Sequence, residues 1–383
     1  MLRRRWHWAA VAALILLTSV VACSEARNNE VAMAEVKRGP AKVGVLQPRG
    51  TASEDTWDAN YDPSKVRPKV KENLRNVYAL LEEAGRLGCD IVATPEGIGN
   101  VMGYGFRPSE TLPGEDTPIM EALIPEIEAE AVPAIAAIAA KHKMYIIAAM
   151  MTKDHAGRIY NEAILFDRGG RTAGRYRKVH MPIAETWALD AGSEYPLFRT
   201  DFGTVGIMIC ADMEFPEPAR ILALSGADVI FHCTIAQYFD DKADSLAGAI
   251  VARTRAMDSR VYICPSMYGT RGSGIIGPDG KVVAEAPGKP DTVVIARIDF
   301  AKELLDESPW WTAVNGTNLI RARTMMQRRP ETYRMLTEQH PPILDRYPDV
   351  RLTGRQNPGS VRRAIDAIDY SPAARKQKQA GKE

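Results

Sequence analysis

The run Gly206-Ile207-Met208-Ile209-Cys210-Ala211-Asp212-Met213-Glu214-Phe215-Pro216-Glu217 constrains the fold more than any other part of the chain. Residues 205–209 are uniformly apolar and read as a buried strand. The strand meets a short polar turn, after which Pro216 and Ala219-Arg220-Ile221-Leu222-Ala223-Leu224 read as a helix opening on a proline. The same alternation recurs along the chain. Residues 42–46 and 90–94 read as strands around a helix whose Val70, Leu74, Val77, Leu81 and Ala84 share one face. Residues 119–143 read as helical, with breaks expected near Pro125 and Pro133. Further strands are expected at 145–151, 159–166, 229–232, 261–265, 274–276, 282–286 and 292–298, with a helix over 242–258. That order is α/β and suits helices packed on sheets.

The apolar run also delivers one cysteine to a strand-to-helix junction. Backbone N–H groups at such a junction lower a thiol's pKa and can hold an oxyanion. Cysteine is equally a small buried hydrophobe, so Cys210 alone fits packing as well as chemistry. Two other segments bear on the choice. In Asp90-Ile91-Val92-Ala93-Thr94-Pro95-Glu96-Gly97 a short strand ends on a proline and presents Glu96 just beyond its C-terminal end, where ligands bind in open α/β sheets. In Gly174-Arg175-Tyr176-Arg177-Lys178-Val179-His180-Met181-Pro182, cationic and titratable side chains surround Lys178. A loop carboxylate and a solvated charge run are the ordinary readings of these two.

Taken in order, the Glu, Lys and Cys segments resemble the carbon-nitrogen hydrolase (nitrilase) superfamily, in its amidase- and carbamoylase-like branch. The resemblance covers residues 40–300. Two weaker blocks follow in register. Ala252-Arg253-Thr254-Arg255-Ala256-Met257-Asp258-Ser259 is similar to a family segment that carries Glu and Asn where this chain has Asp258 and Ser259. Gly274-Ile275-Ile276-Gly277-Pro278-Asp279-Gly280 is similar to a terminal hairpin, and its Pro-Asp-Gly is a turn signal on physical grounds alone.

The resemblance implies a four-layer αββα sandwich that commonly dimerises through its helices. It also implies a cofactor-free, metal-free hydrolase of a small-molecule amide or carbamoyl group. Cys210 would be the nucleophile and Glu96 the general base, returning its proton to the leaving ammonia or amine. Lys178 and the backbone N–H of Ala211 would stabilise the oxyanion; losing one such donor costs about a hundredfold to a thousandfold in rate. Glu185, seven residues past Lys178, would be the assisting carboxylate, with Glu194 its competitor. Nitrile hydrolysis fits less well, because Ala211 and Asp212 follow the cysteine where nitrilases tend to carry Trp and Glu. N-acyl transfer on the same site, and a catalytically silent lipoprotein that binds a small amide-containing ligand, are the remaining alternatives.

Composition excludes other classes. A net charge of +1 over 383 residues leaves no electrostatic footprint for nucleic acid. The histidines and cysteines lack metal-ligand spacing. Gly272-Ser273-Gly274-Ile275-Ile276-Gly277 matches a dinucleotide fingerprint, but a turn follows it instead of a helix.

At the N-terminus, Arg3-Arg4-Arg5 precedes an apolar stretch over 9–21 that is short for a membrane span, a secretory signal over residues 1–22. Val20-Val21-Ala22-Cys23 resembles a bacterial lipobox, which implies lipidation of Cys23 and a cell-envelope location, at the outer membrane if the cell has two. Residues 23–39 would then form a tether, 40–300 the hydrolase domain and 301–383 a C-terminal arm with a disordered end.

Overall fold

The structure, a computed structural model, describes residues 37–346 except 51–60, 107–109, 183–184, 236–245, 247–248, 309, 311 and 314–315. The expected signal, the lipobox Cys23 and the chain end beyond residue 346 lie outside the described residues.

The strands form two six-stranded sheets. The first takes β1 (Pro40–Gln47), β2 (Ile91–Ala93), β3 (Tyr145–Lys153), β4 (Ile159–Phe166), β5 (Thr172–Arg177) and β12 (Thr292–Asp299), in the order β12-β1-β2-β3-β4-β5. The second takes β6 (Phe198–Arg199), β7 (Thr204–Ile209), β8 (Val229–Cys233), β9 (Tyr262–Ser266), β10 (Gly274–Ile276) and β11 (Val282–Glu285), in the order β11-β10-β9-β8-β7-β6. Both are parallel at the centre, through β1-β2-β3 and β7-β8-β9, and antiparallel at the edges.

Strand parity explains how the layers stack, because successive side chains point to opposite faces. Ile91 and Ala93 face inward onto Val205, Ile207, Ile209 and Phe231 of the other sheet. Val92, Ile146, Ala148 and Ile164 face outward onto α1 (Val66–Arg86) and α2 (Ile119–His142). In the second sheet Met208, Ile230 and Ile263 face outward onto α3 (Pro216–Leu224) and α4 (Ile250–Ser259). The result is the four-layer αββα sandwich. Gly206 is small because α3 lies close: a Cβ there would stand 3.1 Å from the Leu222 side chain.

Several elements differ from expectation. α2 runs unbroken through Pro125 and Pro133. Both prolines sit on its exposed side, while Leu123, Ile127, Ala131 and Ile135 hold the other side to the sheet. β5 is a strand within what reads as a charge run; only Tyr176 of it is buried, so it lacks an apolar pattern. Helix α4 starts at Ile250, eight residues later than expected, and part of the difference falls on residues outside the described set. The last residues of the expected tether are fastened to the body: Gly39 N–H donates to Phe202 O at 2.9 Å and Arg38 pairs with Glu303 at 2.6 Å. In the C-terminal arm, α5 (Ile320–Met326) lies against the end of α3, where Arg321 donates to the carbonyls of Ala223 and Ala227 and Met325 packs on the outer core.

Candidate active site

Glu96 stands three residues past β2 on a loop pinned to β3. Thr94 N–H donates to Ile147 O at 2.9 Å, Ala149 N–H donates to Thr94 Oγ1 at 3.1 Å, and Ile98 N–H donates to Ala149 O at 3.0 Å. Gly97, at φ +64°, supplies the left-handed turn between these anchors. The carboxylate is thereby held fully buried. Its Oε1 accepts from Asn161 Nδ2 at 2.6 Å and from Lys178 Nζ at 3.0 Å, and its Oε2 accepts from Ile235 N–H at 3.3 Å.

Lys178 follows β5 and keeps pairing with the neighbouring strand, since its N–H donates to Asn161 O at 2.9 Å. Tyr176 and Lys178 share strand parity, so the lysine enters the space between the sheets with the tyrosine. Its ammonium lies 2.8 Å from each oxygen of Glu185, besides Glu96. Burial pulls the Lys178 pKa down, but Glu96, the Cys210 site and Glu185 outweigh it, and the net effect is upward. The lysine is a buried cation paired with two carboxylates. Burial pushes the Glu185 carboxyl up against the opposing pull of Lys178. Glu194 is exposed and lines a different surface hollow with Arg158 and Arg177.

Cys210 directly follows β7 and opens a single 3₁₀ turn, Cys210–Glu214, that leads into α3. Its φ of +44° is left-handed, a strained conformation for a residue with a Cβ. Contacts on both sides hold it. Ile209 N–H donates to Asp212 Oδ2 at 3.0 Å, and the ring Nε2 of His232 lies 3.0 Å from Cys210 O. Burial lowers the His232 pKa to about 4, so the ring is neutral and this nitrogen carries the donated proton. Ala211, whose N–H follows the thiol, is buried.

The expected lowering of the thiol pKa is not what the structure gives. Burial first, and then the Glu96 charge, push Cys210 up to about 12, against the opposing pull of Lys178 and a hydrogen bond with Thr234. The turn after β7 is too short for a helix dipole to build up, and Cys210 packs against the apolar core between the sheets.

Glu96, Lys178, Glu185 and Cys210 are thus brought together. The structure adds Asn161, Thr234, His232 and the buried Asp212, which sequence reasoning did not single out as site residues. Asn161 had a signal, since with Glu162 it forms a polar pair inside the apolar run of β4. The others sit in the strand and turn that neighbour the nucleophile, and only their pairing gives them a role.

A profile of the carbon-nitrogen hydrolase family matches residues 42–303. Omega-amidase NIT2-A of Xenopus laevis is 27% identical over 266 residues, covering 64% of this chain and 90% of that protein. A carbon-nitrogen hydrolase from Helicobacter pylori superposes with a TM-score of 0.59 at 20% identity, over 78% of this chain and 99% of that one. An amidase from Nesterenkonia sp., solved with the acetamide moiety of fluoroacetamide covalently added at its active-site cysteine, superposes at 0.53 and 19% identity, over 77% and 96%. At those identities the structural likeness speaks for the sandwich fold. The family match spans more than half of the chain and contains every residue gathered around Cys210, and from it we conclude that this protein belongs to the carbon-nitrogen hydrolase family and is a hydrolase of C–N bonds.

Proposed function

We propose that the protein hydrolyses a small amide or carbamoyl compound through an acyl-enzyme on Cys210, with Glu96 moving the proton and Lys178 and the Ala211 N–H holding the oxyanion. The observation that carries this reading is the convergence of one ammonium and two carboxylates, all buried, beside a partly buried free thiol. Such a group of charges is costly to desolvate, and structural use alone is a weak reason to assemble it. The amidases among its relatives support the substrate class.

A thiol raised to about 12 is almost wholly protonated at neutral pH, so it attacks only if its proton has an acceptor at hand. Glu96 is that acceptor. Once protonated it no longer competes as an anion for Lys178, whose freed N–H turns to the carbonyl oxygen as negative charge develops there. The Cys210 sulfur bonds the carbonyl carbon; the tetrahedral adduct collapses as the C–N bond breaks, and the nitrogen leaves with the proton from Glu96. Water, deprotonated by Glu96, then attacks the thioester, and the sulfur departs and recovers the proton. Glu185 keeps Lys178 in place while its hold on Glu96 loosens.

The test is a panel of acetamide, propionamide, succinamate, an N-carbamoyl amino acid and propionitrile, read by ammonia release, with mass spectrometry of the protein after fluoroacetamide. Turnover of an amide or carbamoyl compound is expected, with an adduct on Cys210 that Cys210→Ala abolishes together with turnover. Neither ammonia nor adduct across the panel would sink the reading. We also infer lipid attachment at Cys23 and a cell-envelope location, supported by the lipobox-like Val20-Val21-Ala22-Cys23, which lies outside the described residues.

A further inference from the structure

Asp212 takes no part in the steps above, yet its carboxylate is fully buried and gathers hydrogen bonds from both sheets. Oδ2 accepts from Ile209 N–H at 3.0 Å and from Tyr176 O–H at 2.5 Å. Oδ1 accepts from His180 N–H at 2.9 Å and lies 3.2 Å from the Nδ1 of the same ring. Ile209 is the last residue of β7, immediately before Cys210, and belongs to the second sheet. Tyr176 and His180 stand two residues before and two residues after Lys178, in the chain leaving the first sheet. One charged group therefore grips the lysine segment on both flanks and ties it to the backbone that presents the thiol.

The bonding pattern suits an ionised carboxylate and little else. The N–H groups of Ile209 and His180 can only donate to it, and burial together with the Asp212 charge holds the Tyr176 phenol well above its usual range, so the phenol remains a neutral donor; the Nδ1 of His180, also 3.1 Å from the Tyr195 hydroxyl, takes a role set by its tautomer. An amide in its place has one acceptor oxygen and an NH₂ group. Whichever way it turned, that NH₂ would face the N–H of Ile209 and the phenol, or the N–H of His180. One of the two ties would be lost and a donor left buried.

We propose that Asp212 is a positioning residue that sets the place of the Lys178 ammonium relative to the Cys210 thiol by clamping the two sheets together at the site. The inference rests on the roles proposed for Lys178 and Cys210. Reaction geometry is sensitive at this scale, since a displacement of about 1 Å from a group remote from the chemistry costs about a hundredfold in rate. The loss falls on the transition state, where the ammonium must meet the oxyanion, and leaves ground-state binding of the substrate nearly intact.

The experiment compares Asp212→Asn and Tyr176→Phe with the wild type on whichever panel amide has the highest kcat/KM. Concentrations are normalised to folded protein by thermal melting and circular dichroism. For Asp212→Asn, kcat is expected to fall about a hundredfold with KM within about threefold. Tyr176→Phe, which removes a single bond, is expected to lower kcat about tenfold, again with KM held. A kcat for folded Asp212→Asn within about threefold of wild type would overturn the proposal, as would a loss that vanishes on normalisation or appears wholly in KM. Should Asp212→Asn not fold, Tyr176→Phe decides alone: an unchanged kcat per folded molecule overturns the positioning role. Failure of the hydrolase reading looks different, because the wild type itself would then release no ammonia from the panel and form no adduct; that result removes both proposals.

Discussion

Cys210 is held under strain by the contacts of its neighbours, and His232 is an uncharged one among them. Its ring is completely enclosed, donates to the Cys210 carbonyl and leaves Nδ1 without a partner among the described residues. Protonating that nitrogen would bury a cation with nothing to receive it, which is why the pKa falls from 6.5 to about 4. The sign for stability follows from the unfolded chain binding the proton first. The contribution of His232 is fully present above about pH 6.5 and is lost as the pH falls through about 4, a change of about 3 kcal/mol in all. His232→Gln keeps a side-chain N–H for the carbonyl and removes the titration. Urea unfolding measured from pH 7 to pH 4 should therefore show a shallower loss for the variant, by about 3 kcal/mol over that span. Parallel curves for the two proteins would mean that another group controls the acid limb.

At the level of elements, the sequence pattern failed where exposure removed it. β5 has one buried residue, Tyr176, and reads as charge; its strand character comes from pairing with β4. α2 reads as broken because proline is hostile to a helix interior, yet its apolar side is long enough to keep it whole. The turn from β4 to β5 is seated directly on this helix. A Cβ at Gly170 would lie 2.3 Å from Ala136 O, and the residue's φ of +77° is itself unfavourable for a side chain. Gly170→Ala should thus cost about 2–4 kcal/mol in denaturant unfolding, from backbone strain and overpacking together. Because this turn is at the opposite end of β5 from Lys178, kcat of the folded variant should stay near that of wild type. A stability change below about 0.5 kcal/mol would show that the turn and helix are not in contact as described.

On the scale of the whole molecule, the segment before β1 meets the chain that follows β12. Arg38, just before β1, pairs with Asp228 at 2.9 Å and with Glu303 at 2.6 Å, and Arg321 of the C-terminal arm lies 3.8 Å from the same Asp228. This cluster sits at the N-terminal end of β1, whereas Glu96 follows the C-terminal end of its parallel neighbour β2. An N-terminal tether would therefore join the body at the end of the sandwich remote from the site. Among the described residues no helix is long and apolar enough to cross a membrane; the lipid proposed at Cys23 has its own test. In a bacterial host, Cys23→Ser should abolish incorporation of labelled fatty acid and move the protein from the membrane to the soluble fraction, with amidase activity per molecule retained. Continued lipid labelling of the variant would overturn the assignment.

Residue patterns sufficed for an α/β class, for the order of most strands and helices, and for the three blocks that bring Glu96, Lys178 and Cys210 to strand ends, because side-chain periodicity, turn chemistry and short motifs are local and a segment carries them wherever it is placed. The four-layer sandwich and the roles of those three residues were implied only by the family that the blocks resemble. Tertiary structure alone decided which carboxylate reaches Lys178, setting Glu185 against its ammonium and Glu194 on the surface. It also decided that the thiol is raised and not lowered, that Asn161 and Ile235 complete the surroundings of Glu96, and that Asp212 bridges the sheets. These outcomes depend on desolvation and on contacts between distant segments. Glu96 meets Lys178 across 82 positions and Ile235 across 139, and no local pattern records who the neighbour will be or how much water it will exclude.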